Sequence, residues 1–177
     1  MITNDDVLKK YINSFFVETG TCTGDGVARA LKCGFDHIYS IELYEEYYKQ
    51  AFERFKGDSR VHLFKGDCMD VLPTIIPMIN EPATFWLDAH VNGKKSPAWG
   101  KKACPILEEI DIIMKNHLFD KTIMIDDMRL FRGLGRNLWG CITDKDILNA
   151  FSKYGDYKIG YEDGYKEKDI MVVEIHK

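Results

Sequence analysis

The chain lacks the marks of several large protein classes. No stretch approaches the roughly 18 consecutive apolar residues of a membrane span, so no membrane association is expected. The five cysteines, Cys22, Cys33, Cys68, Cys104 and Cys141, are odd in number and scattered, and they form neither a C-x-x-C pair nor a zinc-ligand spacing. That argues against a disulfide scaffold or a zinc module and leaves reduced, mostly buried thiols. The opening Met-Ile-Thr-Asn-Asp-Asp has acids where a secretory signal has bases and no apolar run behind them, so a cytoplasmic location is expected. A basic excess is also missing. With 24 Lys and Arg against 28 Asp and Glu the net charge is −4, so nucleic acid is not the expected partner, although a local patch could still exist. There is no internal repeat, low-complexity tract or linker, and 177 residues at 45% hydrophobic content suit one domain over 1–177.

What is present is an alternation. Asn4 can cap a short helix to about Asn13, and Phe15-Phe16-Val17-Glu18 is a compact strand ending in a carboxylate. Glycines 20, 24 and 26 make a turn, residues 27–33 a helix stopped by Gly34, and residues 37–42 a strand ending in Glu42. Helix 44–55, strand 61–64, helical segment 68–76 and strand 83–88 follow, then helix 105–118 and the buried strand 122–126. After a long loop, 127–142, Thr143 caps a helix to about Tyr154, and two strands near 157–162 and 169–175 share a turn around Asp163-Gly164, which makes them antiparallel. The fold class is therefore α/β: a three-layer Rossmann-like sandwich with about seven strands, mostly parallel, the last antiparallel.

Ligands of such sheets bind outside the carboxyl ends of the strands, where Glu18, Glu42, Asp67, Asp88, Asp126 and Asp127 fall along one edge. Any single acid is most simply a solvated strand end; several together ask for a ligand. The glycine turn reads G-x-x-x-G-x-G, not the G-x-G-x-x-G of dinucleotide sites. Glu18 before the turn and Asp25 within it would repel a pyrophosphate, yet suit the ammonium and sulfonium of S-adenosylmethionine. Glu42, 22 residues beyond Gly20, is spaced to accept hydrogen bonds from ribose hydroxyls. Asp67 could accept from an adenine amino group or simply cap the next helix.

Phe16-Val17-Glu18-Thr19-Gly20-Thr21, Ser40-Ile41-Glu42, Gly66-Asp67 and Phe85-Trp86-Leu87-Asp88-Ala89-His90 resemble class I S-adenosylmethionine-dependent methyltransferases over nearly the whole chain. The resemblance implies a cofactor set of Glu18, Thr19, Gly20, Thr21, Gly24, Glu42, Asp67, Cys68 and Asp88, of which Glu18, Gly20, Glu42 and Asp67 match best. A second resemblance is to the metal-dependent branch, such as catechol and macrocin O-methyltransferases. It implies that Asp88, Asp126 and Asp127 hold a divalent cation, Mg²⁺ or Mn²⁺, that polarises an acceptor hydroxyl. The catalytic lysine of the catechol enzymes' pattern is replaced by Val91, which leaves His90 and Asp88 as the candidate catalytic residues, His90 as general base, although a lone histidine after a strand is more often structural.

The loops 91–104 and 128–136 carry Lys94, Lys95, Lys101, Lys102, Arg129, Arg132 and Arg136, so an anionic acceptor is expected: a sugar nucleotide, phosphorylated sugar or other small molecule or glycan. Trp99 and Trp139 could stack on a sugar ring or merely pin the loops, and Gly133 and Gly135 could hinge a lid. So short a chain could complete its pocket by pairing with a second copy. Competing readings are a non-catalytic cofactor-binding module, a metal-dependent hydroxylase and, last, a nicotinamide oxidoreductase.

Overall fold

The computed structural model describes residues 5–91, 93, 96–133 and 137–177. Asn4, Lys94, Lys95, Gly135 and Arg136, singled out above, lie outside them. Helices are α1 (Asp5–Lys9), α2 (Asp25–Cys33), α3 (Glu45–Phe55), α4 (Cys68–Ile75), α5 (Ile106–Asn116) and α6 (Asp144–Ser152). Strands are β1 (Phe15–Thr19), β2 (His37–Glu42), β3 (Val61–Lys65), β4 (Ala83–Leu87), β5 (Lys121–Ile125), β6 (Lys158–Glu162) and β7 (Ile170–Ile175). They form one sheet in the order β3-β2-β1-β4-β5-β7-β6, parallel except for β7, which is antiparallel to both of its neighbours. Both ends of the alternation were legible; α1 is shorter than expected and stops at Lys9.

Side chains alternate across the pleat, so each strand feeds two cores. Phe15, Val17, Phe85 and Leu87 point to the layer of α4, α5 and α6, while Phe16 and Trp86 point to α1 and α2. Gly34 ends α2 in the left-handed region, with its N–H donating to the Ala30 and Leu31 carbonyls. Thr143 caps α6 in a reciprocal box with Asp146. Thr143→Ala is expected to cost about 1 kcal/mol in urea unfolding; an unchanged midpoint would mean the box contributes nothing.

The chain leaves β1 toward β2 and β3, then returns to β4 on the other side. The sheet's switch point thus lies between the carboxyl ends of β1 and β4. Since β7 runs antiparallel, its start, not its end, lies at that same edge, with Met171 opposite Ile125. No helix among the described residues is long and apolar enough to cross a membrane.

Candidate active site

A cavity of about 660 Å³ opens at the switch point. Of the residues expected to hold a cofactor, Glu18, Gly20, Thr21, Glu42, Asp67, Cys68 and Asp88 line it, together with His90 and Asp127. Thr19, Gly24 and Asp126 are not in its wall. Thr19 is fully buried, its Oγ1 without a hydrogen-bond partner. Gly24 has a packing role: at φ +88° a Cβ there would lie 2.5 Å from the Phe55 ring.

Glu18 is nearly sealed from solvent, accepts from Ser40 Oγ at 2.6 Å, and is pressed from above by Gly26, where a Cβ would lie 1.7 Å from Oε1. Burial pushes its carboxyl up to about 8. Gly20 faces the Asp88 carbonyl so closely that a Cβ would stand 2.7 Å from it, so β1 and β4 meet through bare backbone. Glu42 accepts from the backbone N–H of Cys22 at 2.7 Å and of Tyr44 at 2.6 Å, which fixes its carboxylate at the wall while burial raises its affinity for a proton. Asp67 caps α4 through Met69 N at 3.0 Å, and its second oxygen accepts from Lys101 N at 2.7 Å. Its capping role is thus realised, and the loop after β4 is seated over it, with Gly100 too close for any side chain.

Beyond Asp88 the wall changes character. His90 Nε2 lies 3.0 Å from Asp127 Oδ2 and 3.5 Å from Asp88 Oδ1. Its ring packs 4.3 Å from Trp139, which is buried and donates Nε1–H to the Val91 carbonyl at 3.0 Å. Trp139 is therefore a pin between the loops after β4 and β5, not a sugar platform; Trp99 is half exposed. Asp127 adopts the left-handed conformation, φ +62°, which aspartate tolerates better than most residues, and Asp126 Oδ1 accepts from its N–H at 2.7 Å. Burial would raise Asp127, but His90 and Arg129 hold it down to about 2; burial and the neighbouring Asp88 push Asp126 up to about 6.

The sequence reading missed Asp169 and Tyr165, both at this site. Asp169, fully buried just before β7, pairs with the Arg129 guanidinium and accepts from Arg129 N at 2.8 Å, while the same guanidinium lies 2.5 Å from Asp127 Oδ1 under the ring of Tyr165. The signal was available: an antiparallel last strand brings its leading residue to the active edge. Of the other described loop cations, Lys101 pairs with Asp70, Lys102 with Glu108, and Arg132 donates to the Lys168 carbonyl. The cysteines also differ from expectation: all five are free, but only Cys68 and Cys104 are buried, Cys33 is partly so, and Cys22 and Cys141 are exposed, since turns rather than core helices or strands carry the last two.

Among the described residues, two groups offer metal-donor atoms that lie within 4.8 Å of one another, Asp88 with His90 and Asp127, and Asp126 with Asp127 and Asp169. The second already embraces the Arg129 guanidinium. A small divalent cation fits the first by donor chemistry, two carboxylates and an imidazole on the cavity wall.

By sequence, the chain matches no family model and no curated protein. By structure it is similar to several solved methyltransferases. The O-methyltransferase TomG from Streptomyces achromogenes, involved in tomaymycin synthesis and solved with SAM, superimposes with a TM-score of 0.70 at 14% identity, covering 98% of this chain and 78% of that one. The Bacillus cereus O-methyltransferase solved with SAH gives 0.69 at 14%, covering 98% and 78%. The SAH-bound methyltransferase PaMTH1 of Podospora anserina gives 0.69 at 14%, covering 98% and 76%. The fold is that of class I S-adenosylmethionine-dependent methyltransferases. Within that class, the solved structures it resembles include O-methyltransferases.

Proposed function

We propose that the protein is a single-domain S-adenosylmethionine-dependent methyltransferase of the cytoplasm that methylates a hydroxyl of a small-molecule or glycan acceptor. The observation that carries this reading is the 660 Å³ cavity at the switch point, walled in strand order by Glu18, Glu42, Asp67 and Asp88. Bound there, the cofactor would supply an electrophilic methyl on a sulfonium centre. Glu18 and Asp88 offer carboxylates to its positive groups, the bare backbone at Gly20 allows close approach, and Glu42, already held by two amides, keeps oxygen lone pairs toward the ribose position. Transfer then requires mainly that an acceptor oxygen be aligned about 3 Å from the methyl carbon with water excluded. A divalent cation beside Asp88 and Asp127 would act as a Lewis acid on that oxygen.

Of the loop cations, Lys101, Lys102, Arg129 and Arg132 have partners within the protein, so an anionic acceptor would engage them by exchanging those contacts. A binding module without chemistry would leave unexplained why His90 and Asp127 line the same cavity as the cofactor candidates. Calorimetric titration with S-adenosylmethionine, S-adenosylhomocysteine and NAD is the direct test: the first two are expected to bind and NAD not, and NAD binding alone would end this reading. His90→Gln is expected to lower turnover by at least about a hundredfold while S-adenosylhomocysteine affinity stays within about threefold. Unchanged turnover would remove His90 from the chemistry.

A further inference from the structure

The sequence pattern points to three aspartates as the ligands of a cation, but the atoms are arranged otherwise. Asp126 spends Oδ1 on the N–H of Asp127, and the group it forms with Asp127 and Asp169 closes around a guanidinium. The group that opens on the cavity instead contains a nitrogen. His90 Nε2 stands 3.0 Å from Asp127 Oδ2 and 3.5 Å from Asp88 Oδ1. Donors about 2.1 Å from one ion and at right angles to each other are separated by about 3.0 Å, and by about 3.4 Å in a tetrahedron. Both observed separations fall on that scale. The imidazole is also prevented from turning away: its ring lies against Trp139 at 4.3 Å and edge-on to Phe131 at 6.3 Å, and Trp139 is itself anchored to the Val91 carbonyl.

We infer that Asp88, His90 and Asp127 form a mixed nitrogen and oxygen site for a divalent transition metal, with His90 a ligand in place of Asp126. Asp126 is then a positioning residue that holds Asp127 in its left-handed conformation. The imidazole shifts the preference of the site from Mg²⁺ toward first-row ions, which take nitrogen readily, whereas Mg²⁺ holds its waters and favours carboxylates. His90 is accordingly a metal ligand and not the acceptor's general base. This deepens the methyl-transfer reading and rests on it only for what the ion does.

The test is pulsed electron paramagnetic resonance of the full-length protein, stripped of metal and loaded with Mn²⁺, with and without S-adenosylhomocysteine. Wild type is expected to show coupling to a directly bonded ¹⁴N. His90→Asp keeps an oxygen donor and should still bind Mn²⁺, lose the nitrogen coupling, and shift the affinity ratio toward Mg²⁺ by about tenfold. Mn²⁺ bound to wild type without nitrogen coupling overturns the inference, as does failure to bind Mn²⁺ in a protein that binds S-adenosylhomocysteine; in both cases methyl transfer stands. Nitrogen-coupled Mn²⁺ in a protein that does not bind S-adenosylhomocysteine keeps the metal site and ends the methyl-transfer reading.

Discussion

Glu18→Gln is expected to weaken S-adenosylmethionine binding by roughly 2–5 kcal/mol, at least about thirtyfold, because it removes one partner of a buried charge pair. The same substitution should stabilise the empty protein at pH 8.5, where wild type must hold an ionised carboxylate that is almost wholly out of water. The sign follows from linkage. Glu18 titrates at about 8 rather than its ordinary 4.5, and Glu109, buried on α5, at about 7, so the folded state holds protons that the unfolded chain has lost, and stability falls as pH rises toward those values. His117 is lowered from 6.5 to about 4 and Lys121 from 10.5 to about 8, both mainly by burial. The stability that His117 adds as pH rises is complete above its ordinary value, and that of Lys121 grows only above 8. Between pH 6.5 and 8, then, the melting temperature of the empty protein should fall, and S-adenosylmethionine affinity should rise by up to about tenfold per pH unit. Glu18→Gln should flatten the affinity profile and lessen the fall in melting temperature, of which Glu109 keeps its share. Equal cofactor affinity in wild type and variant across that range would show that Glu18 does not face the cofactor.

Arg129→Met should have the largest effect on stability. It leaves the fully buried Asp169, and one oxygen of Asp127, without their cation. Breaking a buried pair from one side costs roughly 3–5 kcal/mol, which in a domain of this size lowers the melting temperature by about 6–20 °C. Removing the second charge as well, Arg129→Met with Asp169→Asn, should recover more than half of that loss. A drop of under about 2 °C for the single variant, or no recovery in the double, would mean that the pair is solvated and carries little.

The sheet was legible because buried strands announce themselves: Phe15 to Val17, Ile123 to Ile125 and Met171 to Val173 are apolar runs between turn residues, and each acid at a strand's end marks the active edge. The candidate site was legible to the extent that it follows from strand ends. Side-chain direction was not. Thr19 belongs to the same motif as Glu18 and Gly20, yet one step along a pleat turns its side chain away from the cavity, and no motif carries that parity. Asp169 and Tyr165 come from the turn before β7, 81 and 77 residues beyond Asp88, and reach the site only through the antiparallel return. Composition records the charge of the loop cations but not whom each faces: Lys101, Lys102, Arg129 and Arg132 have partners within the protein.

The pin at Trp139 also gives the molecule its own reporters. Each of its three tryptophans samples a different environment: Trp86 in the core behind β4, Trp99 half exposed on the loop over Asp67, and Trp139 against the His90 ring. Imidazole in van der Waals contact with an excited indole shortens its emission, so a change in what His90 binds alters the brightness of Trp139. The wavelength of Trp99 follows how wet the loop over Asp67 is, and Trp86 stays constant as an internal reference. Because Trp139 ties the loop after β5 to the backbone of the loop after β4, entry and exit through that side should register as one optical relaxation rather than two.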